Sequence, residues 1–152
     1  MLGAIGTHGP TVSPAVMLVL NASFFCFAIW LLVKPHRTEE KWLWPLTLLV
    51  AIAAVSRIAM GFIPNVMPVT ILAVMVGSKF GIQRGFAFAI LVTLASNSVL
   101  GHGWWSVFQI LGWGSVAALA SVVKVHDEEG RLLMTNLAFA SLWSVPIFSI
   151  VV

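Results

Sequence analysis

Six apolar runs occupy residues 14–33, 42–61, 66–79, 84–100, 104–123 and 132–152, and all but one of the charged residues lie between or at the edges of these runs. No motif in the chain constrains the fold as strongly as this pattern. A helix that meets water needs a polar face, and these runs are apolar on every side. In a bilayer core the backbone N–H and C=O groups must be satisfied internally, which leaves the α-helix as the spanning form for such runs. About twenty residues of helix match a hydrocarbon core of about 30 Å. Composition agrees: the chain is 60% hydrophobic and 9% charged, with a mean hydropathy of +1.03. The expected fold class is therefore all-α, an integral membrane helical bundle with about six transmembrane helices. The third run has only fourteen residues and carries Pro68 near its start, so it is expected to be tilted, half-spanning, or joined to the fourth as a hairpin.

The charges set an orientation. Lys34, Arg37 and Lys41 share one inter-run segment, Lys79 and Arg84 the next but one, and Lys124 and Arg131 the one after that. The intervening FIPN and GHG turns and residues 1–13 contain no Lys or Arg. The positive-inside bias then makes the charged segments cytoplasmic and puts the N-terminus outside, with FIPN and GHG facing out together. All five acids, Glu39, Glu40, Asp127, Glu128 and Glu129, fall in the segments assigned to the cytoplasm. Residues 1–13 lack the basic opening of a secretory signal, so they are expected as an external tail ahead of a retained helix. Residues 14–152 are expected as one transmembrane helical domain.

Several function classes are excluded on the same grounds. The lone Cys26 offers no intramolecular disulfide framework or cysteine-rich metal site. The eight Lys and Arg are scattered singly through short segments, without the basic patch that nucleic acid requires. No carboxylate lies in any run or outer turn, which argues against hydrolytic acid–base chemistry and against a metal centre. The expectation is a protein with no catalytic residues, no metal and no cofactor.

One charge stands within a run: Arg57, near the outer end of the second. A charge at a helix centre costs about 2.5–3.5 kcal/mol on insertion scales, so Arg57 is expected to face a cavity or a partner. Snorkelling to the outer interface is the alternative. The topology gathers around it Asn65, Thr70, Asn97, His102, Trp104, Trp105 and Gln109. A cation, amides, a hydroxyl and flat indoles suit the holding of a small heterocyclic or anionic molecule. Each also has a plainer reading: the indoles as an interfacial belt, the amides as inter-helix hydrogen bonds.

Small residues recur every four positions, at Gly77, Gly81, Gly85 and Ala89 and again at Gly114 and Ala118, flanked by Ala117 and Ser121. Such spacing lets helix backbones approach closely, within the chain or against another subunit.

With these residues in place, the stretch RIAMGFIPNVMPVTILAVMVGSKFGIQRGFAFAILVTLASNSVLGHGWWSVFQILGWGSVAALAS, 57–121, resembles the substrate-binding S components of energy-coupling factor (ECF) transporters. The similarity extends over roughly 42–152 and is carried by the order and spacing of 57–70, 78–90 and 100–114. The resemblance implies substrate capture at the outer face, in a prokaryotic cell membrane, of a vitamin or related trace nutrient. It also implies docking on a transmembrane coupling subunit driven by two cytoplasmic ATPase subunits; no Walker A pattern is present in this chain. Against the family pattern, 14–33 is an additional N-terminal helix, and a last helix returning to the cytoplasm is lacking. Ala51, Ala53, Ala54, Ser56 and Ala59 stand where an A-x-x-x-A docking face is usual. The competing expectation is a small MreD-like membrane scaffold without transport activity, which leaves the outer polar cluster without a role.

Overall fold

The computed structural model describes residues 5–6, 9–10, 13–33, 42–60, 68–123, 131 and 133–151. Apart from a two-residue antiparallel ladder, β1 (Ile5–Gly6) with β2 (Gly9–Pro10), the described chain is helical: α1 (Pro14–Val33), α2 (Leu43–Ala59), α3 (Pro68–Leu100), α4 (Trp105–Val122) and α5 (Met134–Val151). Expected and observed limits agree within a few residues because each apolar run ends at polar, glycine or proline punctuation. The FIPN turn and most of the charged segments lie outside the described residues, as does Asn65.

Among the described residues five helices stand where about six were expected. The third and fourth runs form one assigned helix, α3, interrupted at a single residue, Gly81, with φ 82° and ψ 175°. Only glycine adopts that combination without strain. The two arms, 68–80 and 82–100, fold back on each other there. A Cβ built on Gly85 would lie 3.4 Å from the Cα of Gly77, whereas residues eight apart in a straight helix are separated by about 12 Å. The hairpin alternative for the short third run therefore holds, and Gly81 serves as its tip rather than as a packing residue.

Every other helix packs on α3. The main core joins Leu46 and Ala53 of α2 with Val74, Phe80, Phe88 and Val92 of α3 and Trp113 of α4. Where the arms meet α4, the small residues make the closest approach: a Cβ on Gly77 would fall 2.1 Å from the carbonyl oxygen of Ala117, and one on Gly85 would fall 2.6 Å from the Ala117 Cβ. These positions serve contact within the chain.

Among the described residues α1 packs chiefly on α3, through a seam of Ala28, Leu31, Ala87 and Ile90 that Ile110 of α4 joins. Most of its surface is open, with Leu18 70% and Val33 75% exposed. An apolar groove of about 410 Å³ opens beside that seam between α1, α2 and the second arm of α3, lined by Phe25, Leu46, Thr47, Val50, Leu91 and Leu94. Three helices, α1, α3 and α4, are long and apolar enough to cross a membrane, and α2 is a shorter apolar helix. Large exposed apolar faces of this kind mark a surface for lipid or for protein partners.

Candidate functional site

Arg57 sits in the last turn of α2, and its side chain turns into the bundle instead of out toward an interface. Its Nη1 donates to the Ser96 hydroxyl and, at 2.8 Å, to Oδ1 of Asn97. Trp113 of α4 covers the guanidinium, with its ring centroid 4.9 Å from Cζ. Arg57 thus finds hydrogen-bond and ring partners on α3 and α4.

Asn97 is fully buried and carries the network onward. Its Nδ2 donates to the Ser106 hydroxyl at 2.8 Å and to Oε1 of Gln109 at 3.2 Å. Ser96 anchors itself by donating to the carbonyl of Val92 at 2.7 Å, and Thr93 makes the equivalent bond to Ala89 at 2.7 Å, a local back-bond common for hydroxyls within helices. One cation, two amides and two hydroxyls therefore tie α2, the second arm of α3 and α4 together at one end of the bundle.

The turn between α3 and α4 holds that end in shape. Gly101, at φ 96°, closes α3 by donating its N–H to the carbonyl of Asn97 at 2.8 Å, the left-handed cap that favours glycine. Gly103 leaves room for the Trp105 ring, which a Cβ there would meet at 2.0 Å. His102 between them is half-buried, and its Nδ1 is sealed from solvent with no hydrogen-bond partner among the described residues.

Of the residues singled out from the sequence, Arg57, Asn97 and Gln109 are brought together. His102 lies in the adjoining turn. Trp104 is 42% exposed at the start of α4, and Trp105 lies half-buried against Gly103; the indole over Arg57 belongs to Trp113. Thr70 is half-buried in the first turn of α3, and Asn65 is outside the described residues. Three members were missed by the sequence reading: Ser96, Ser106 and Trp113. A helical-face count would have found the last two, since Ser106, Gln109 and Trp113 are spaced by three and four and so share one face of α4.

A second arginine needs correction. Arg84 was counted with the segment between the third and fourth runs, yet it is 5% exposed, with its Cζ 4.2 Å from the centroid of the Trp42 ring. The hairpin tip draws it into the bundle, so Arg57 is not the only cation enclosed by helices.

No Asp or Glu occurs among the described residues, so none of them supplies a carboxylate to Arg57. Among the described residues there is also no group of His, Cys, Asp and Glu able to hold a metal ion. The cluster offers, among the described residues, a cation, two amides and two hydroxyls for interaction through charge and hydrogen bonds. Comparison with protein-family models, with curated proteins and with solved structures returned no match.

Proposed function

We propose that this chain is a membrane-embedded substrate-capture subunit of the ECF S-component kind, which takes a vitamin or related trace nutrient at the outer face of a prokaryotic cell membrane. In this reading the two arms of α3 enter the bilayer as a hairpin whose longer second arm spans it, with the N-terminus outside. The Arg57 end of the bundle then opens outward. The chain performs no chemistry, and a transmembrane coupling subunit with two ATPase subunits supplies the energy.

The observation that carries the reading is Arg57. An apolar bundle holds a guanidinium that, among the described residues, hydrogen-bonds through Nη1 alone and meets no carboxylate. A charge in such surroundings is costly unless something pairs with it, and an arriving ligand supplies that pair. The exposed apolar faces of α1, with Leu18 and Val19 more than 60% exposed, support lipid contact around the bundle.

The test is mass spectrometry of small molecules and proteins that accompany the purified chain. A capture subunit carries a small molecule, loses at least tenfold of it in Arg57→Ala, and brings down a membrane coupling protein with ATPases. Recovery with cell-wall machinery and no small molecule would instead identify the scaffold of the MreD-like kind.

A further inference from the structure

We infer that the ligand of this site is an acceptor-rich anion: a carboxylate or phosphate that carries a second hydrogen-bond acceptor, such as a ring carbonyl or ring nitrogen. The inference rests on the capture reading and names the chemistry that the site selects.

The argument is the direction of the hydrogen bonds. A guanidinium has donors only, so Asn97 has to turn Oδ1 toward Arg57. Its amide nitrogen then points the other way, to Ser106 and to Gln109. Gln109 answers with Oε1, which turns its own Nε2 out of the network. One cation thereby fixes the sense of both amides across three helices, and neither amide can be flipped without setting donor against donor.

The groups left over follow from that sense. Each side-chain oxygen of the cluster already accepts: Ser96 Oγ and Asn97 Oδ1 from Arg57, Ser106 Oγ and Gln109 Oε1 from Asn97. On Arg57 and Gln109 the groups left without a hydrogen bond among the described residues are N–H donors, Nη2 and Nε of Arg57 and Nε2 of Gln109, while each amide oxygen keeps a second lone pair. None of these nitrogens is among the polar atoms sealed from solvent.

A cationic ligand would add its charge to that of Arg57, with no carboxylate among the described residues to offset either. A donor-rich neutral molecule would bring N–H or O–H against N–H and leave both unsatisfied. A carboxylate or phosphate can instead accept two parallel N–H bonds from the guanidinium fork, while a second acceptor takes the outward amide of Gln109. Trp113 already covers one face of the guanidinium at 4.9 Å, so it backs the cation and leaves the edge of the fork for the anion.

The experiment extracts the small molecules carried by the purified full chain and separates them by anion exchange at pH 7, for the parent, Arg57→Ala and Gln109→Glu. The enriched compounds are expected on the anion exchanger, with Gln109→Glu carrying at least tenfold less, because it puts a carboxylate where the outward amide stood. Gel filtration verifies that the variant folds. Should Gln109→Glu fail to fold, Gln109→Leu removes the outward donors without adding charge, and a fall of about fivefold is expected. Enriched compounds that are cationic or neutral would overturn the inference, as would a folded Gln109→Glu that carries the anion as fully as the parent. A cationic compound lost in Arg57→Ala leaves capture standing and removes only this inference. A parent that carries no small molecule removes both.

Discussion

At one end of the bundle Arg57 lies 4.9 Å from the Trp113 ring, bonded through Nη1 to Ser96 and Asn97. Toward the other end, twelve residues before Ser96 on the second arm of α3, Arg84 lies 4.2 Å from the Trp42 ring and is 5% exposed. Both pair a guanidinium with an indole in an apolar chain, but they differ in enclosure. Arg84 is shut in where α2 begins beside the hairpin tip, and there it fastens one element to another. Arg57 is only partly buried and keeps N–H groups that face no protein acceptor among the described residues. An arginine within an apolar bundle is thus informative through the state of its donors more than through its mere presence.

The contrast depends on the crossing where Gly77 and Gly85 meet Ala117, and breaking that crossing has the largest expected effect. Gly77→Ala would place a Cβ 2.1 Å from a backbone oxygen, which cannot swing aside as a side chain can. Overpacking of this kind costs about 1–3 kcal/mol or more. Both ends should lose their geometry together, visible as aggregated protein on gel filtration and a lowered unfolding midpoint in detergent. A Gly77→Ala variant with parental stability would show that the arms and α4 are not in such close contact.

Next in size, Arg84→Leu should separate fastening from binding. Loss of a desolvated cation–π contact is worth about 2 kcal/mol, so the unfolding midpoint should fall while the folded fraction captures its ligand as the parent does. Equal loss of ligand per folded molecule would make the two arginines alike and end the comparison.

Arg57→Lys sharpens the other side. An ammonium is a point charge without the planar fork, so it cannot serve Ser96, Asn97 and a bidentate ligand together. Ligand capture should fall about tenfold, a loss of about 1.4 kcal/mol in binding. Stability should change by less than about 1 kcal/mol, since hydrogen bonds between membrane helices average about 0.6 kcal/mol. Trp113→Phe is the mildest test: a weaker ring face lowers the cation–π contribution by about 0.5–1 kcal/mol, expected as a two- to fivefold drop in capture.

How much of this was legible depends on what kind of signal each feature leaves. α1 was read as 14–33 and observed as Pro14–Val33, because an uncharged apolar run bounded by proline and basic residues has one helical solution. Arg57, Asn97 and Gln109 stood out as polar groups within apolar runs, and a residue of that kind is expected to find a partner. Ser96 left no such signal, since a serine in a helix ordinarily bonds back to its own backbone, as Ser96 does to Val92. Arg84 was misread because a charge count treats every cation near a turn alike, whereas its enclosure depends on Trp42, forty-two residues earlier in the chain. Trp104 and Trp105 attracted notice as a pair, but it is helical spacing from Gln109 that brings an indole to Arg57.

The single seam of α1 has a consequence for biosynthesis. Its packing partners Ala87 and Ile90 are made some sixty residues after Ala28, roughly 3–12 s later at translation rates of about 5–20 residues per second. Through that interval the nascent helix has no docking site on α3, so lipid has to be acceptable to it on every side. Its sequence meets the demand: α1 contains no charged residue, and its mean hydropathy of 2.4 exceeds that of the other candidate spans. The second arm of α3 carries Arg84, Ser96 and Asn97, and its partners on α4 follow within about ten to thirty residues. Of these two elements, the one that waits longer for its partners carries the less polarity.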